Sequence, residues 1–245
     1  MSKFCVIIPA AGKAERFGAP QKKTFAKLDG RAIFLRSLEP FLQRDDVCQT
    51  ILAVAPEDME QVKSSYAANL GFMGVKLVEG GERRCDTVAA ALKIVPEEAD
   101  FIAVHDAARP CVRTDSIDAV FAEAQKTGAA ILAVPLTGTI KRASNARVIE
   151  ETVPRDGLYE AQTPQVFRKA ILMDAYASLV DADLQEITDD ARIVERFGHP
   201  VSIVISDPTN LKITTKADIT LANAILKSRP KKPVPKFGAF EEAQW

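Results

Sequence analysis

The stretch "FCVIIPAAGKAERFG", residues 4–18, joins a short apolar run to a loop of small and charged residues. The run from Phe4 to Ile8 is rich in β-branched side chains and too short for a typical helix, so it predicts a buried strand. Similar runs follow at "TILAVA" (50–55), "VKLVE" (75–79), "FIAVH" (101–105) and "AAILAVP" (129–135).

Segments with helical spacing lie between these runs, at residues 32–42, 57–70, 85–95 and 115–126. Pro56 is placed to open one helix, with Glu57 and Asp58 in its first turn. Thr215 with Asp218 matches a capping box at the start of another. Continuous apolar strands that alternate with amphipathic helices predict an α/β fold with a doubly wound, mostly parallel, Rossmann-like sheet.

Two segments depart from this alternation. Residues 138–158, "GTIKRASNARVIEETVPRDGL", are polar, and "SNAR" between two β-like runs predicts the tip of a hairpin. We therefore expect an arm that projects from a single domain spanning residues 1–227. Residues 228–245 carry three prolines and four cations before an acidic end, and we expect them to form a mobile tail.

Composition excludes several classes of protein. The chain has 245 residues with a net charge of −1, so charge gives no general attraction to nucleic acid or to an anionic membrane. The sequence contains no apolar stretch of the roughly 20 residues that a membrane span needs, and the N-terminal run is too short for a signal peptide. The four cysteines are far apart and form no C-x-x-C pair, which favours reduced thiols. We expect a cytoplasmic protein with neither a nucleic-acid nor a membrane partner.

Polar segments follow four of the predicted strands, at residues 9–25, 79–87, 105–110 and 135–142. Ligands bind at the carboxyl ends of the strands in an open parallel sheet, so these segments predict one pocket. The first matches neither the G-x-x-x-x-G-K-[ST] nor the G-x-G-x-x-G pattern. Its Ala10, Ala11 and Gly12 instead have little or no side chain, so backbone N–H groups can approach phosphates closely.

Several motifs, in order, resemble those of the 2-C-methyl-D-erythritol 4-phosphate cytidylyltransferase family. They are "PAAGKAERFG" with "KKTF", "EGGERRCDTV", "VHDAARP", "AVPLTGTIKRA", "RDGLYEAQTPQVF", "EITDDA" and "NLKITT", and they cover residues 4 to about 227. The resemblance implies transfer of CMP from CTP to 2-C-methyl-D-erythritol 4-phosphate, with release of pyrophosphate, in the non-mevalonate isoprenoid pathway. It also implies a magnesium requirement and a homodimer in which each arm serves the partner's cleft.

The resemblance also implies roles for individual residues. Asp106 is the expected magnesium ligand. "QKKTF" departs from the family's Lys-Gln-aromatic spelling, and Lys23 is preferred to Lys22 because Phe25 then takes the aromatic position; the role of Asp207 stays open. The implied sets are catalytic Arg16, Lys23 and Lys212; CTP-binding Ala10, Ala11, Gly12, Gly81, Glu82, Thr87 and Asp106; and substrate-binding Thr139, Arg155, Thr163, Thr188 and Arg109.

The chemistry agrees with this resemblance. A phosphate monoester is largely dianionic at neutral pH, because its second pKa is about 6, so it needs no general base. The sequence accordingly has no Ser-His-Asp or Cys-His pattern, and His105 is interpreted as a buried structural residue. Cations and a metal would act by positioning and by stabilising transition-state charge.

Three other functions are alternatives to this one. A related nucleotidyltransferase for an alditol phosphate such as ribitol 5-phosphate would share the nucleotide half. A catalytically silent nucleotide-binding module would lack Arg16, Lys23 or Asp106, and all three are present. A nicotinamide-dependent dehydrogenase would need the glycine fingerprint. Strict preference for CTP over UTP is left open by the sequence.

Overall fold

The computed structural model describes residues 1–12, 23–180 and 187–230, with the side chain of Lys23 excluded. Those residues form eleven strands and seven α-helices. The strands are β1 (Phe4–Pro9), β2 (Lys27–Leu28), β3 (Arg31–Ala32), β4 (Val47–Val54), β5 (Val75–Glu79), β6 (Phe101–Val104), β7 (Ala129–Pro135), β8 (Ile140–Ala143), β9 (Ile149–Val153), β10 (Tyr159–Arg168) and β11 (Ser202–Ile205). The helices are α1 (Ile33–Leu42), α2 (Met59–Phe72), α3 (Arg84–Leu92), α4 (Thr114–Thr127), α5 (Lys169–Ala177), α6 (Asp190–Arg196) and α7 (Lys216–Ser228).

A seven-stranded sheet with the order β11-β7-β10-β6-β1-β4-β5 forms the centre of the described structure. Strand β10 is antiparallel to both of its neighbours, and the other pairings in this sheet are parallel. The prediction of a doubly wound, mostly parallel sheet is therefore confirmed. Because β10 runs against its neighbours, its first residues lie at the edge where the parallel strands end.

The sheet separates two hydrophobic cores. Leu38 of α1, Val62 of α2 and Ile117 of α4 pack on one face. Val88 of α3 and Leu172 of α5 pack on the other. Side chains alternate along each strand, so β1 contributes Val6 to the first core and Ile7 to the second. Burial on both faces explains why these strands are apolar without a polar stripe.

The predicted elements agree with the structure to within a few residues. The capping box of Thr215 and Asp218 is present at the start of α7, and Pro56 opens a 3₁₀ turn before α2. Strands β10 and β11 and helices α5 and α6 were not predicted from the sequence. Strand β10 contains Pro164 beside a shift of register, and proline argues against a central strand.

A separate antiparallel hairpin follows β7. Strands β8 and β9 pair with each other and with no strand of the main sheet, and Arg147 in the intervening turn has φ = +60°. The predicted hairpin with its tip near "SNAR" is confirmed. Val148 and Ile149 near the tip are 64% and 62% exposed. That the hairpin projects as an arm, and that a domain ends at residue 227, stay predictions.

Helix α7 completes a third, smaller core. Ala222 of this helix packs with Leu28, Ile33, Cys111 and Ile213, all of which are buried. The described residues contain no helix with the length and apolar character needed to cross a membrane. Residues 231–245, most of the predicted tail, lie outside the described structure.

Candidate active site

The carboxyl ends of β1, β5 and β6 meet at a small cavity of about 140 Å³. Its lining contains several of the residues to which the resemblance assigns roles, and these residues lie far apart in the sequence. Those from the implied sets are Ala10, Ala11, Gly12, Glu82, Thr87, Asp106 and Lys212. Three of the four segments predicted to share a pocket therefore do so, and residues 135–142 do not line it.

The loop after β1 forms one wall of this cavity with its backbone. Ala10 and Ala11 are buried, and the Ala10 N–H donates to the Ala53 carbonyl over 2.7 Å. A Cβ atom added at Gly12 would meet no group of the described residues within 4 Å. Contact of this backbone with the phosphates of a nucleotide stays a prediction.

The turn after β5 is packed too closely for larger residues. A Cβ atom at Gly81 would lie 2.4 Å from the Asp86 Cβ atom. The Thr87 hydroxyl accepts from the Gly81 N–H over 3.2 Å and lies 3.0 Å from the Arg83 carbonyl. These contacts hold the Thr87 hydroxyl within the turn, and contact of Gly81, Glu82 or Thr87 with CTP stays a prediction.

The Asp106 carboxylate faces three cations. Lys212 Nζ lies 2.7 Å from Oδ2, Arg84 Nε lies 3.3 Å from Oδ1, and Arg109 Nε lies 3.7 Å from Oδ2. Burial alone would raise the pKa of Asp106, but the charges of Arg84, Lys212 and Arg109 outweigh it and hold this pKa well below its usual range. Asp106 is therefore ionised at neutral pH.

A buried hydrogen-bond chain holds the backbone of Asp106. Its N–H donates to the Thr163 hydroxyl over 3.0 Å, and that hydroxyl lies 3.1 Å from His105 Nδ1. His105 Nε2 lies 3.0 Å from the Arg109 carbonyl, which can only accept, so Nε2 carries the hydrogen and Nδ1 accepts from Thr163. His105 is fully buried, as predicted for a structural residue, and desolvation lowers its pKa to about 4. These contacts favour a positioning role for Thr163, and direct substrate contact by it stays a prediction.

A tight loop after β11 positions Lys212. Asp207 accepts from the Thr209 N–H over 2.7 Å, which gives this residue a turn-forming contact. The Asn210 amide donates to the Thr163 carbonyl over 2.9 Å, and Arg109 donates to the Asn210 carbonyl over 2.7 Å. Arg109 is buried, so these contacts agree with positioning of the loop.

Other predicted site residues lie outside this constellation. Arg16, Lys22 and the side chain of Lys23 are not among the described residues. Thr139 and Arg155 are exposed beside the hairpin, and Arg155 donates to the Thr137 carbonyl. Thr188 is exposed just before α6. Their contact with a substrate stays a prediction.

Arg84, Asp190 and Asn210 were not assigned roles from the sequence. Arg84 and Asp190 lie within the quoted motifs "EGGERRCDTV" and "EITDDA", but their pairing across 106 positions leaves no local pattern. Asn210 precedes Lys212 by two residues and is almost fully buried, which the polar sequence "DPTN" does not predict.

A wider surface depression of about 1030 Å³ lies elsewhere, between α1, α2 and the end of α7. Arg36, Arg44 and Arg113 line it, and their charges are already paired with Asp29, Asp118 and Asp115 respectively. The smaller cavity is the better candidate, because strand ends, a small-residue loop and a cation cluster meet there.

Comparison with known proteins tests the family resemblance. Residues 4–228 match the family of 2-C-methyl-D-erythritol 4-phosphate cytidylyltransferase. A protein of that name from Rhodopirellula baltica is 43% identical over 232 residues, covering 90% of this chain and 93% of the relative. Another from Alkaliphilus oremlandii is 37% identical over 230 residues, covering 94% and 97%.

Solved structures give the same result. The Francisella tularensis 2-C-methyl-D-erythritol 4-phosphate cytidylyltransferase is 31% identical with a TM-score of 0.78, covering 91% of this chain and 100% of that one. The enzyme of that name from Thermus thermophilus is 30% identical with a TM-score of 0.73, covering 91% and 98%. The resemblance drawn from the motifs is confirmed, and the chain belongs to the 2-C-methyl-D-erythritol 4-phosphate cytidylyltransferase family.

Proposed function

We propose that this protein transfers CMP from CTP to 2-C-methyl-D-erythritol 4-phosphate and releases pyrophosphate. The observation that carries the proposal is the meeting of the small-residue loop at Ala10–Gly12 with Asp106 and Lys212 in one cavity, in a chain of this family. The product would be 4-diphosphocytidyl-2-C-methyl-D-erythritol, an intermediate of isoprenoid precursor biosynthesis.

The reaction requires one anion to approach another. The acceptor phosphate attacks the α-phosphate of CTP in line, the new O–P bond forms, and the bond to the β-phosphate oxygen breaks to release pyrophosphate. The attacking oxygen carries no proton that must be removed, so cationic positioning is the main requirement. His105 is fully buried and both of its ring nitrogens are hydrogen-bonded within the protein, which supports a mechanism in which it is not the base.

Several cations of the chain would together neutralise the phosphate charges. Lys212 lies at the cavity, and we assign it to the phosphates from the wall opposite the opening loop. Arg16 and Lys23 would neutralise charge on the α-phosphate and the leaving pyrophosphate. Comparing Lys22→Ala with Lys23→Ala decides which loop lysine acts, because only the residue at the phosphates should be required for turnover.

The cavity residues fit a magnesium ion that is held mainly by the phosphates of the substrate. The described residues contain no group of three His, Cys, Asp or Glu side chains that could form a complete metal cage. Asp106 nevertheless offers an ionised carboxylate in the cavity lining, and Mg²⁺ commonly combines one or two carboxylates with substrate phosphates. Asp106 would hold the ion, which when bound neutralises phosphate charge.

In a homodimer, the second copy would supply residues that bind 2-C-methyl-D-erythritol 4-phosphate. A two-stranded hairpin is marginal alone in water, and Val148 and Ile149 are exposed near its tip. We assign this hairpin, with Thr139 and Arg155 at its base, to the cleft of a second copy. Arg155 offers a bidentate fork suited to a terminal phosphate. We also propose a cytoplasmic location for the enzyme.

A pyrophosphate-release assay tests the function. The protein is incubated with Mg²⁺, each of CTP, UTP, ATP and GTP, and either 2-C-methyl-D-erythritol 4-phosphate or ribitol 5-phosphate. We expect release with CTP and the methylerythritol phosphate, and loss of release in excess chelator. Turnover with ribitol 5-phosphate alone would support the related alditol phosphate enzyme. Nucleotide binding without turnover would support a silent module, and full activity in chelator would contradict the magnesium assignment.

A further inference from the structure

Arg84 lies between two carboxylates that belong to distant parts of the chain. Its Nη1 is 2.7 Å from Asp190 Oδ2, and its Nε donates to Asp106 Oδ1 over 3.3 Å. Asp106 follows β6 in the proposed CTP pocket, whereas Asp190 begins α6, two residues after Thr188. We propose that Arg84 is a positioning residue that ties the acceptor-binding segment 187–191 to the CTP pocket.

The backbone that carries Arg84 is firmly held. Arg84 is the first residue of α3, and a capping box between Arg83 and Asp86 closes the start of this helix. The Arg83 N–H donates to the Asp86 carboxylate over 3.1 Å, and the Thr87 hydroxyl contacts both the Gly81 and Arg83 carbonyls. The guanidinium therefore extends from a fixed point on the pocket wall.

Asp190 is held from two sides. Its carboxylate is fully buried, with Tyr176 Oη donating to Oδ1 over 2.6 Å and Arg84 beside Oδ2. A buried carboxylate is costly unless it is paired, so Asp190 remains beside the guanidinium. The planar fork of arginine can address two carboxylates in different directions, which the point charge of lysine cannot do.

A second clamp holds the same segment against the sheet. Gln165 of β10 donates to Asp189 over 2.7 Å and accepts from the Ala191 N–H over 3.0 Å. This clamp does not involve Asp106. Loss of the Arg84 contact should therefore leave α6 folded against β10 and free to shift relative to the CTP pocket. The proposed defect is in the placement of Thr188, which is exposed two residues before Asp190.

The inference rests on the proposed function, because it assigns Asp106 to CTP and Thr188 to the acceptor. If the ion pair only stabilises the fold, breaking it would lower the melting temperature and weaken the binding of both substrates equally. If Arg84 positions the acceptor-binding segment, breaking the pair raises the acceptor KM and leaves the CTP Kd nearly unchanged. The two roles therefore predict different changes in the acceptor KM relative to the CTP Kd.

The experiment compares Asp190→Asn, Arg84→Lys, their double variant and the control Arg192→Gln in the full chain. Asp190→Asn keeps the shape and the acceptor for Tyr176, and circular dichroism checks that each variant is folded. Arg192 is on the same helix but pairs at the surface with Glu195, 3.6 Å away. The readouts are kcat, the acceptor KM, the CTP Kd without acceptor, and amide hydrogen exchange in residues 187–196.

We expect Asp190→Asn to raise the acceptor KM about tenfold, the equivalent of losing one charge-assisted contact, with the CTP Kd within about twofold of wild type. Arg84→Lys should raise both constants, because it also removes a partner of Asp106. The double variant should raise the acceptor KM no further than Arg84→Lys, since both changes break one link. Hydrogen exchange in residues 187–196 should be faster in these variants and unchanged in Arg192→Gln.

An unchanged acceptor KM in folded Asp190→Asn would overturn the proposal, as would an equal rise in the acceptor KM and the CTP Kd of that variant. If the wild type shows no transfer at all, the proposed function fails, but hydrogen exchange still tests the link. Wild-type exchange in both Asp190→Asn and Arg84→Lys would then show that Arg84 does not hold the segment.

Discussion

At the scale of single residues, Asp106 combines two kinds of contact. Its N–H is held by the Thr163 hydroxyl, and its carboxylate by Lys212, Arg84 and Arg109. The first contact fixes the backbone at the end of β6, and the others gather positive charge around the proposed phosphate site. Arrangement of charge before the reaction is how preorganised sites stabilise a transition state.

Lys212→Ala should lower kcat about 10²–10³-fold, because it removes a cation from the phosphates in the transition state. The fold should survive, since the Lys212 side chain is 39% exposed and Asp106 retains two arginines. Steady-state kinetics and thermal unfolding check this. Asn210→Ala is a useful comparison, because it keeps Lys212 and loosens its loop, and should lower kcat less. Near-wild-type kcat in Lys212→Ala would remove Lys212 from the catalytic set.

His105 should make stability depend on pH. Its pKa is lowered from 6.5 to about 4 in the folded protein, so the unfolded chain takes up the proton first as the pH falls. Its contribution is complete above pH 6.5 and is lost towards pH 4, amounting to about 3 kcal/mol. Urea unfolding between pH 4 and 7 should show this loss in wild type and a smaller one in His105→Gln. Equal pH dependence in the two proteins would contradict the assignment.

At the scale of elements, the hairpin β8–β9 is separate from the seven-stranded sheet. It pairs only with itself, and most of its residues are exposed. Arg142 and Glu151 form a cross-strand ion pair at 2.9 Å, but an exposed pair contributes little to stability. Docking against a second copy would bury Val148 and Ile149, and a two-fold dimer lets each copy give and receive a hairpin.

Mixing inactive subunits tests whether the hairpin works in trans. We expect Lys23→Ala chains and Arg155→Ala chains to be inactive alone and to regain activity when combined. A mixed dimer would have one site with wild-type Lys23 and a wild-type hairpin from the partner, while the other site carries both defects. Pyrophosphate release after subunit exchange measures the recovery. If heterodimers form and activity does not return, Arg155 serves its own chain.

At the scale of the whole molecule, the described members of the three cores reach as far as helix α7. Helix α7 places Ala222 over Leu28 and Cys111, and Arg229 donates to the Cys111 carbonyl at the end of this helix. The family match likewise ends at residue 228.

Deleting residues 231–245 should leave the melting temperature and turnover near wild type, because no described core loses a side chain. Deleting residues 216–245 is the matched control: it removes α7, exposes the core around Leu28 and Ile33, and should lower the melting temperature strongly. Thermal unfolding and the pyrophosphate assay measure both. A large loss on removing residues 231–245 alone would show that the tail contributes to the fold or the site.

Much of the fold and part of the site could be read from the sequence, for a local reason. Parallel strands buried on both faces must be continuously apolar, so runs such as Phe4–Ile8 can be recognised as strands from the sequence. Ligand loops follow such strands, which brought Ala10–Gly12, Asp106 and the glycine turn to one predicted pocket. Strand β10 was missed because Pro164 and polar residues interrupt it, and its burial comes from neighbours on both sides.

The tertiary structure alone decided which polar groups meet. The sequence by itself determined the strand and helix alternation, the capping box at Thr215 and the motifs of the family. It did not determine that Arg84 would pair with Asp190, or that the Thr163 hydroxyl would hold the Asp106 N–H. Such pairings join residues tens of positions apart, and they arise because buried polar groups must find partners among whatever chain segments the packing brings near.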